Sequence, residues 1–169
     1  IIQRLNNKKI FLTGSSGFVG KYIIDSFISN YHLKFYKRNE TILDLSDIVV
    51  HLAGKAHDLK NTSNASEYYT INTDLTIELF DAFLSSDAKV FITLSSVKAV
   101  AETLEFDLTE NHLPYPFTHY GKSKLLAEQY ILSKSIPEGK RVYILRPCMI
   151  HGPGNKGNLN LLYNAEKNP

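Results

Sequence analysis

The fold turns on the reading of KIFLTGSSGFVGKYIIDSFIS, residues 9–29. Lys9-Ile10-Phe11-Leu12 is a short β-prone run. Phe18, Val19, Tyr22, Ile23, Phe27 and Ile28 then recur near helical spacing, which predicts a strand followed by an amphipathic helix to about Ser29. Between the two lies Thr13-Gly14-Ser15-Ser16-Gly17-Phe18-Val19-Gly20. Each glycine has a physical use there. Gly14 permits the tight turn, Gly17 lets the backbone approach a pyrophosphate, and Gly20 lets helix and strand pack closely. The helix N-terminus, entered through Ser16, offers unpaired N–H groups and a partial positive charge to the anion. A ligand-free turn is the plainer reading of the glycines alone, and the flanking strand and helix argue against it.

Past Ser29 the alternation continues. Leu33–Tyr36 reads as a second strand, and Ile48–Leu52 as another, nearly apolar on both faces as a central parallel strand must be. Glu67–Ser86 is predicted helical, with Tyr68, Ile71, Leu75, Leu79 and Phe83 on one stripe. Val90–Leu94 is a strand. After a polar stretch through Pro114 and Pro116, a helix runs from Tyr120 to about Ser133 with Leu125, Leu126 and Tyr130 inward, and Val142–Leu145 closes the series. This order predicts an α/β fold, a Rossmann-type doubly wound parallel sheet with helices on both faces, whose ligands sit beyond the carboxyl ends of the strands. Residues 37–47 are too few for a usual helical crossover. From His151 the chain is a Gly/Asn-rich loop.

Composition narrows the function classes. A chain of 169 residues with 43% hydrophobic residues can bury a core without disulfides or a structural metal. A net charge of +2 sets up no strong field, so nucleic acid and a polybasic membrane contact have little support as partners. No apolar run approaches a membrane span. The N-terminal IIQRLNNKK reaches charge before any signal-like apolar core, and Cys148, the single cysteine, cannot close an intramolecular disulfide; both fit a cytoplasmic protein. His51, His57 and Asp58 invite a metal reading, but His51 belongs to a buried strand and no third ligand has suitable local spacing, so no metal is expected. Cys148 reads as a small buried hydrophobe near the ligand.

The chemistry-bearing residues follow in order. Where an acid at the end of the second strand would accept hydrogen bonds from an adenosine ribose, this chain has Tyr36-Lys37-Arg38-Asn39. A cation such as Arg38 there, with no carboxylate, favours NADP(H) over NAD, while Asp44 can approach the adenine. Ser95-Ser96 ends the Val90–Leu94 strand, where a parallel sheet presents its site. Tyr120-Gly121-Lys122-Ser123-Lys124 places Tyr120 and Lys124 on one face of a helix. A phenol is a poor base at neutral pH, and a nearby ammonium favours its ionised form.

Together these segments resemble the extended short-chain dehydrogenase/reductase family of sugar-nucleotide epimerases, reductases and dehydratases. The matching segments are TGSSGFVG, VVHLAG at 49–54, LSS at 94–96, YGKSK at 120–124, LRPCMIHGPG at 145–154, and Asn72 in EYYTINTDLT. The resemblance implies that Tyr120 is the acid/base, that Lys124 holds the nicotinamide ribose and tunes Tyr120, and that Ser96 binds the substrate oxygen. It implies that Leu52, Ala53, Gly54 and the backbone near Pro147 line the dinucleotide, and that Asn158-Leu159 contacts a nucleotide diphosphate. Where 4,6-dehydratases carry an Asp-Glu pair, this chain has Val97-Lys98, which disfavours dehydration. An NAD(P)-dependent nucleotide-sugar 4-epimerase or 4-keto-reductase is therefore expected, with a nucleotide sugar and a second copy of the chain in a homodimer as partners. The rivals are a reductase of a non-sugar ketone and a non-catalytic dinucleotide-sensing module; the intact Tyr120–Lys124 pair argues against the second. The resemblance also implies that residues 1–169 form the dinucleotide-binding domain, with a substrate-binding portion beginning only at about 151–169.

Overall fold

The β-prone runs and the helical segments between them fold as a three-layer arrangement in the computed structural model, which describes residues 8–38, 45–55, 64–103 and 107–154. The strands are β1 (Lys9–Thr13), β2 (His32–Phe35), β3 (Ile48–His51), β4 (Val90–Leu94) and β5 (Arg141–Leu145). They form one parallel sheet in the order β2-β1-β3-β4-β5. The order reverses direction between β1 and β3. A crevice opens there at the carboxyl ends of the strands, which is where open α/β sheets bind ligands.

The helices are α1 (Phe18–Phe27), α2 (Ala65–Tyr69), α3 (Leu75–Ser85) and α4 (His119–Leu132). One sheet face buries Phe11, Val49 and Phe91 against Leu79, Phe80 and Phe83 of α3 and Ile131 of α4. The other buries Ile10, Leu12 and Val50 with Ile23 and Ile24 of α1 packed on them. Helices thus cover both faces, as the alternation of strand and helix requires for strands that are apolar on both sides. Lys140 closes one end of the first layer: its Nζ donates to the carbonyls of Phe83, Ser86 and Ala88 at 2.6, 2.5 and 3.0 Å, satisfying acceptors at the end of α3.

Three sequence expectations shift. The single helix expected over Glu67–Ser86 is α2, a π turn at Thr70–Asp74 and α3 in succession; the Leu75 N–H reaches back to the Thr70 carbonyl, one residue farther than in an α-helix. In α4, Leu126 is 45% exposed, and the interior face is made by Gly121, Ser123, Lys124, Ala127, Glu128 and Ile131. Cys148 is exposed rather than buried. Residues 39–44, between β2 and β3, lie outside the described residues, and Leu45 is a core side chain. Among the described residues no helix is long and apolar enough to cross a membrane.

Candidate active site

The glycine turn is built by close backbone approach. Gly14 has φ +71°, and a Cβ there would lie 2.6 Å from the Ala53 nitrogen; at Gly20 a Cβ would lie 2.2 Å from the Gly14 carbonyl oxygen. Side chains are excluded at both positions by backbone that cannot yield. At Gly17 a Cβ would meet only the Gly14 oxygen, at 3.2 Å, and no side chain caps the N-terminus of α1. The N-terminus of α1 therefore carries no side-chain acceptor, and the turn that leads into it, Gly14 to Gly17, lines the crevice. A cleft of about 960 Å³ runs from Gly14, Ser16 and Gly17 past Arg38, Leu52, Ala53 and Gly54. Its size and the glycine turn at one end fit an extended dinucleotide. Asp44, Asn158 and Leu159 lie outside the described residues.

A second cleft of about 300 Å³ adjoins it, lined by Ser96, Tyr120, Lys124, Pro147, Cys148 and Met149. Leu52, Gly54 and Lys55 line both clefts. The expected residues thus come together from β4, α4 and the segment after β5. Ser96 caps the Val97–Ala99 turn, its Oγ accepting from the Lys98 N–H at 3.2 Å. That turn lies on α4 at Gly121, where a Cβ would sit 2.2 Å from the Lys98 carbonyl oxygen. Thr118 caps α4 by accepting from the Gly121 N–H and donates to Glu102 at 2.6 Å, and Glu102 pairs with Lys98 at 2.8 Å. The Ser96 turn and the first turn of the Tyr120 helix are therefore one hydrogen-bonded unit.

Burial raises the Tyr120 phenol above its ordinary value, opposed by its hydrogen bond with Ser96 and by the charge of Lys98. Lys124, expected to exert that pull, is engaged elsewhere: the residue is 8% exposed and its ammonium donates to the Leu94 carbonyl at 2.8 Å. Burial lowers its pKa to about 8, against the favourable charge of Glu128. Glu128, 2% exposed, accepts two hydrogen bonds from Arg146 Nε, at 3.0 and 3.1 Å, and pairs with Arg146 Nη2. This pair anchors the chain leaving β5 to the interior face of α4.

Sequence reasoning placed Asn72 only by resemblance, and its geometry is specific. In the π turn, its Oδ1 accepts from the Lys55 N–H at 2.8 Å, and its Nδ2 donates to the Lys55 carbonyl at 3.1 Å and to Ser123 Oγ at 3.0 Å. The carboxamide thus ties the loop after β3 to α4 beside Lys124. Tyr22, read in the sequence only as part of the apolar stripe of α1, donates to the Pro153 carbonyl at 2.7 Å and holds the Gly152-Pro153-Gly154 turn over α1. The presence of a second glycine-rich turn is the signal that could have pointed to it. His119 bonds the Tyr69 hydroxyl at 3.0 Å on the surface. Among the described residues no three His, Cys, Asp or Glu side chains cluster to hold a metal.

A model of the NAD dependent epimerase/dehydratase family matches residues 36–164. The chain belongs to this family. As a member of the epimerase/dehydratase family it is 34% identical to the N-acetyl-α-D-glucosaminyl-diphospho-ditrans,octacis-undecaprenol 4-epimerase of Escherichia coli O157:H7, over 92% of this chain and 53% of that protein. It is 33% identical to a UDP-glucose 4-epimerase of Vibrio cholerae, over 89% of this chain and 54% of that one. The structure of RMD from Pseudomonas aeruginosa complexed with NADPH aligns with a TM-score of 0.70 at 28% identity, covering 88% of this chain and 56% of that one. The chain spans about half the length of the curated family members it matches.

Proposed function

We propose that this chain carries the cofactor-binding and catalytic residues of an NAD(P)-dependent nucleotide-sugar 4-epimerase or 4-keto-reductase. The observation that carries this reading is the joining of two clefts. Ser96, Tyr120 and Lys124 line one, the glycine turn lines the other, and Leu52, Gly54 and Lys55 line both. A bound dinucleotide would supply the hydride acceptor and donor. Gly14, Ser16, Gly17, Phe18, Val19 and Gly20 would hold its diphosphate, with Leu52, Ala53, Gly54 and Pro147 along its length.

The chain's own residues supply the proton chemistry. Tyr120 takes the proton of the sugar C4 hydroxyl, or returns it to a C4 carbonyl oxygen, and Ser96 hydrogen-bonds that same oxygen. Lys124, freed from the Leu94 carbonyl by a ribose hydroxyl, would place its charge nearer Tyr120. Lys98 already lowers the phenol, so two cations would then oppose the effect of burial. Arg38 lines the larger cleft and supports a preference for NADP(H) through its attraction for a 2′-phosphate. On this reading the matched half of the relatives is their dinucleotide-binding half, and the sugar's own determinants lie in the remainder of their length.

Product analysis with UDP-sugars tests the assignment. Interconversion of C4 epimers without net cofactor change identifies an epimerase. Consumption of NADPH with a 4-keto sugar identifies a reductase. Turnover of non-sugar ketones alone would contradict both.

A further inference from the structure

His51 lies at the end of β3, is 1% exposed, and has a hydrogen-bond partner on each ring nitrogen. Its Nδ1 is 2.7 Å from Thr13 Oγ1, and its Nε2 is 2.9 Å from Thr76 Oγ1. The proton positions follow from the outer partners. The Thr76 hydroxyl has one proton and gives it to the Asn72 carbonyl at 2.8 Å, so toward His51 it can only accept. With the hydroxyl so oriented, Nε2 is the nitrogen that carries the ring proton. Nδ1 is then the acceptor in a neutral ring, Thr13 donates to it, and Thr13 Oγ1 accepts in turn from the Ala53 N–H at 3.0 Å. The chain of bonds runs in one direction from Ala53 through Thr13, His51 and Thr76 to Asn72, with no proton unaccounted for.

One end, Ala53, lines the larger cleft; the other, Asn72, is buried and holds Lys55, which lines both clefts. Thr13 is the residue before the Gly14 turn, which packs on the Ala53 backbone. Asn72 sits in the π turn and grips Lys55 and Ser123. We propose that His51 is a positioning residue whose neutral ring, protonated on Nε2, ties the glycine turn to the π turn and so sets both clefts in register. Around the ring, β1 and α3 contribute the two threonines, β4 contributes Phe91 with ring centroids 6.4 Å apart, and α4 contributes the charge of Lys124. That cation and the burial both hold the ring neutral.

The kinetic part of this proposal rests on the function proposed above; the proton assignment does not. The first experiment is ¹⁵N NMR of histidine-labelled intact protein. It should show a proton on Nε2 and none on Nδ1, unchanged between about pH 5 and 8. A proton on Nδ1, or titration in that range, would overturn the proposal. The second compares valine with serine at each threonine, because His51→Leu empties a buried polar site and can fail to fold. Thr13→Val should raise the NADPH dissociation constant roughly tenfold. Thr76→Val should lower kcat roughly tenfold with cofactor affinity within about twofold, displacement of a positioned group being costly to rate. The serine variants, which keep the hydroxyl, should restore both. Valine and serine variants that behave alike would contradict it. Should the wild type turn over no nucleotide sugar, the NMR result and the cofactor affinities still decide.

Discussion

At the residue scale, the site combines groups whose charge is set by burial as much as by partners. His51 shows this most clearly, with its pKa lowered from an ordinary 6.5 to about 3, first by burial and then by Lys124. Because the folded value is depressed, the unfolded chain binds a proton that the folded chain refuses between about pH 6.5 and 3. Stability contributed by the neutral ring is complete above pH 6.5 and is lost as pH falls, by up to about 1.4 kcal/mol per unit for one proton. Denaturant titrations across that window should show this slope, and His51→Gln, which keeps a polar side chain between the two threonines, should flatten it; an equal slope in the variant would exclude His51 as its source. Arg38 gives a second prediction. Arg38→Asp should weaken NADPH by roughly tenfold or more while NADH binding holds or improves, read by fluorescence titration. Equal losses for both cofactors would remove Arg38 from the 2′-phosphate.

At the scale of elements, the critical joint is between the Val97–Ala99 turn and α4. Gly121→Ala would force a Cβ to within 2.2 Å of the Lys98 carbonyl oxygen and 2.9 Å of Pro116 Cβ. The turn bearing Ser96 must then move away from Tyr120. Thermal denaturation should show a loss of roughly 1–3 kcal/mol, with a fall in kcat larger than any change in cofactor affinity. Unchanged kcat would mean that Ser96 and Tyr120 need no common mount. The same joint explains what hydropathy could not reveal. Leu125, Leu126 and Tyr130 mark an apolar rhythm, yet α4 turns Ser123, Lys124 and Glu128 inward, because those polar groups find Asn72, the Leu94 carbonyl and Arg146. Glu128 lies four residues after Lys124, and that spacing was a readable sign of one shared face. The π turn left no such sign, since Tyr68, Ile71, Leu75 and Leu79 accommodate an extra residue without breaking the stripe.

At the scale of the whole molecule, the alternation of strand and helix was readable because parallel strands buried on both faces must be apolar throughout, as Val49 and Val50 are. The glycine turn and the Tyr120–Lys124 pair were readable because their spacing is imposed by backbone geometry. The links between them were not: the Asn72 grip and the His51 bridge join residues far apart in sequence. Among the described residues β5 is an edge strand of the sheet, and Tyr143 and Leu145 on it are exposed. What the molecule assembles is a crevice at the carboxyl ends of the strands, where the glycine turn after β1 and the segment after β3 meet Ser96 after β4 and Tyr120 and Lys124 of α4, the residues proposed above to bind the cofactor and move the proton. The most direct test of that assembly is Tyr120→Phe, measured in parallel for NAD(P)H affinity and for turnover of a nucleotide sugar by the intact protein. The predicted result is cofactor affinity within about twofold of wild type and turnover reduced at least about a hundredfold, the scale of a lost general acid/base. Turnover close to wild type would contradict it.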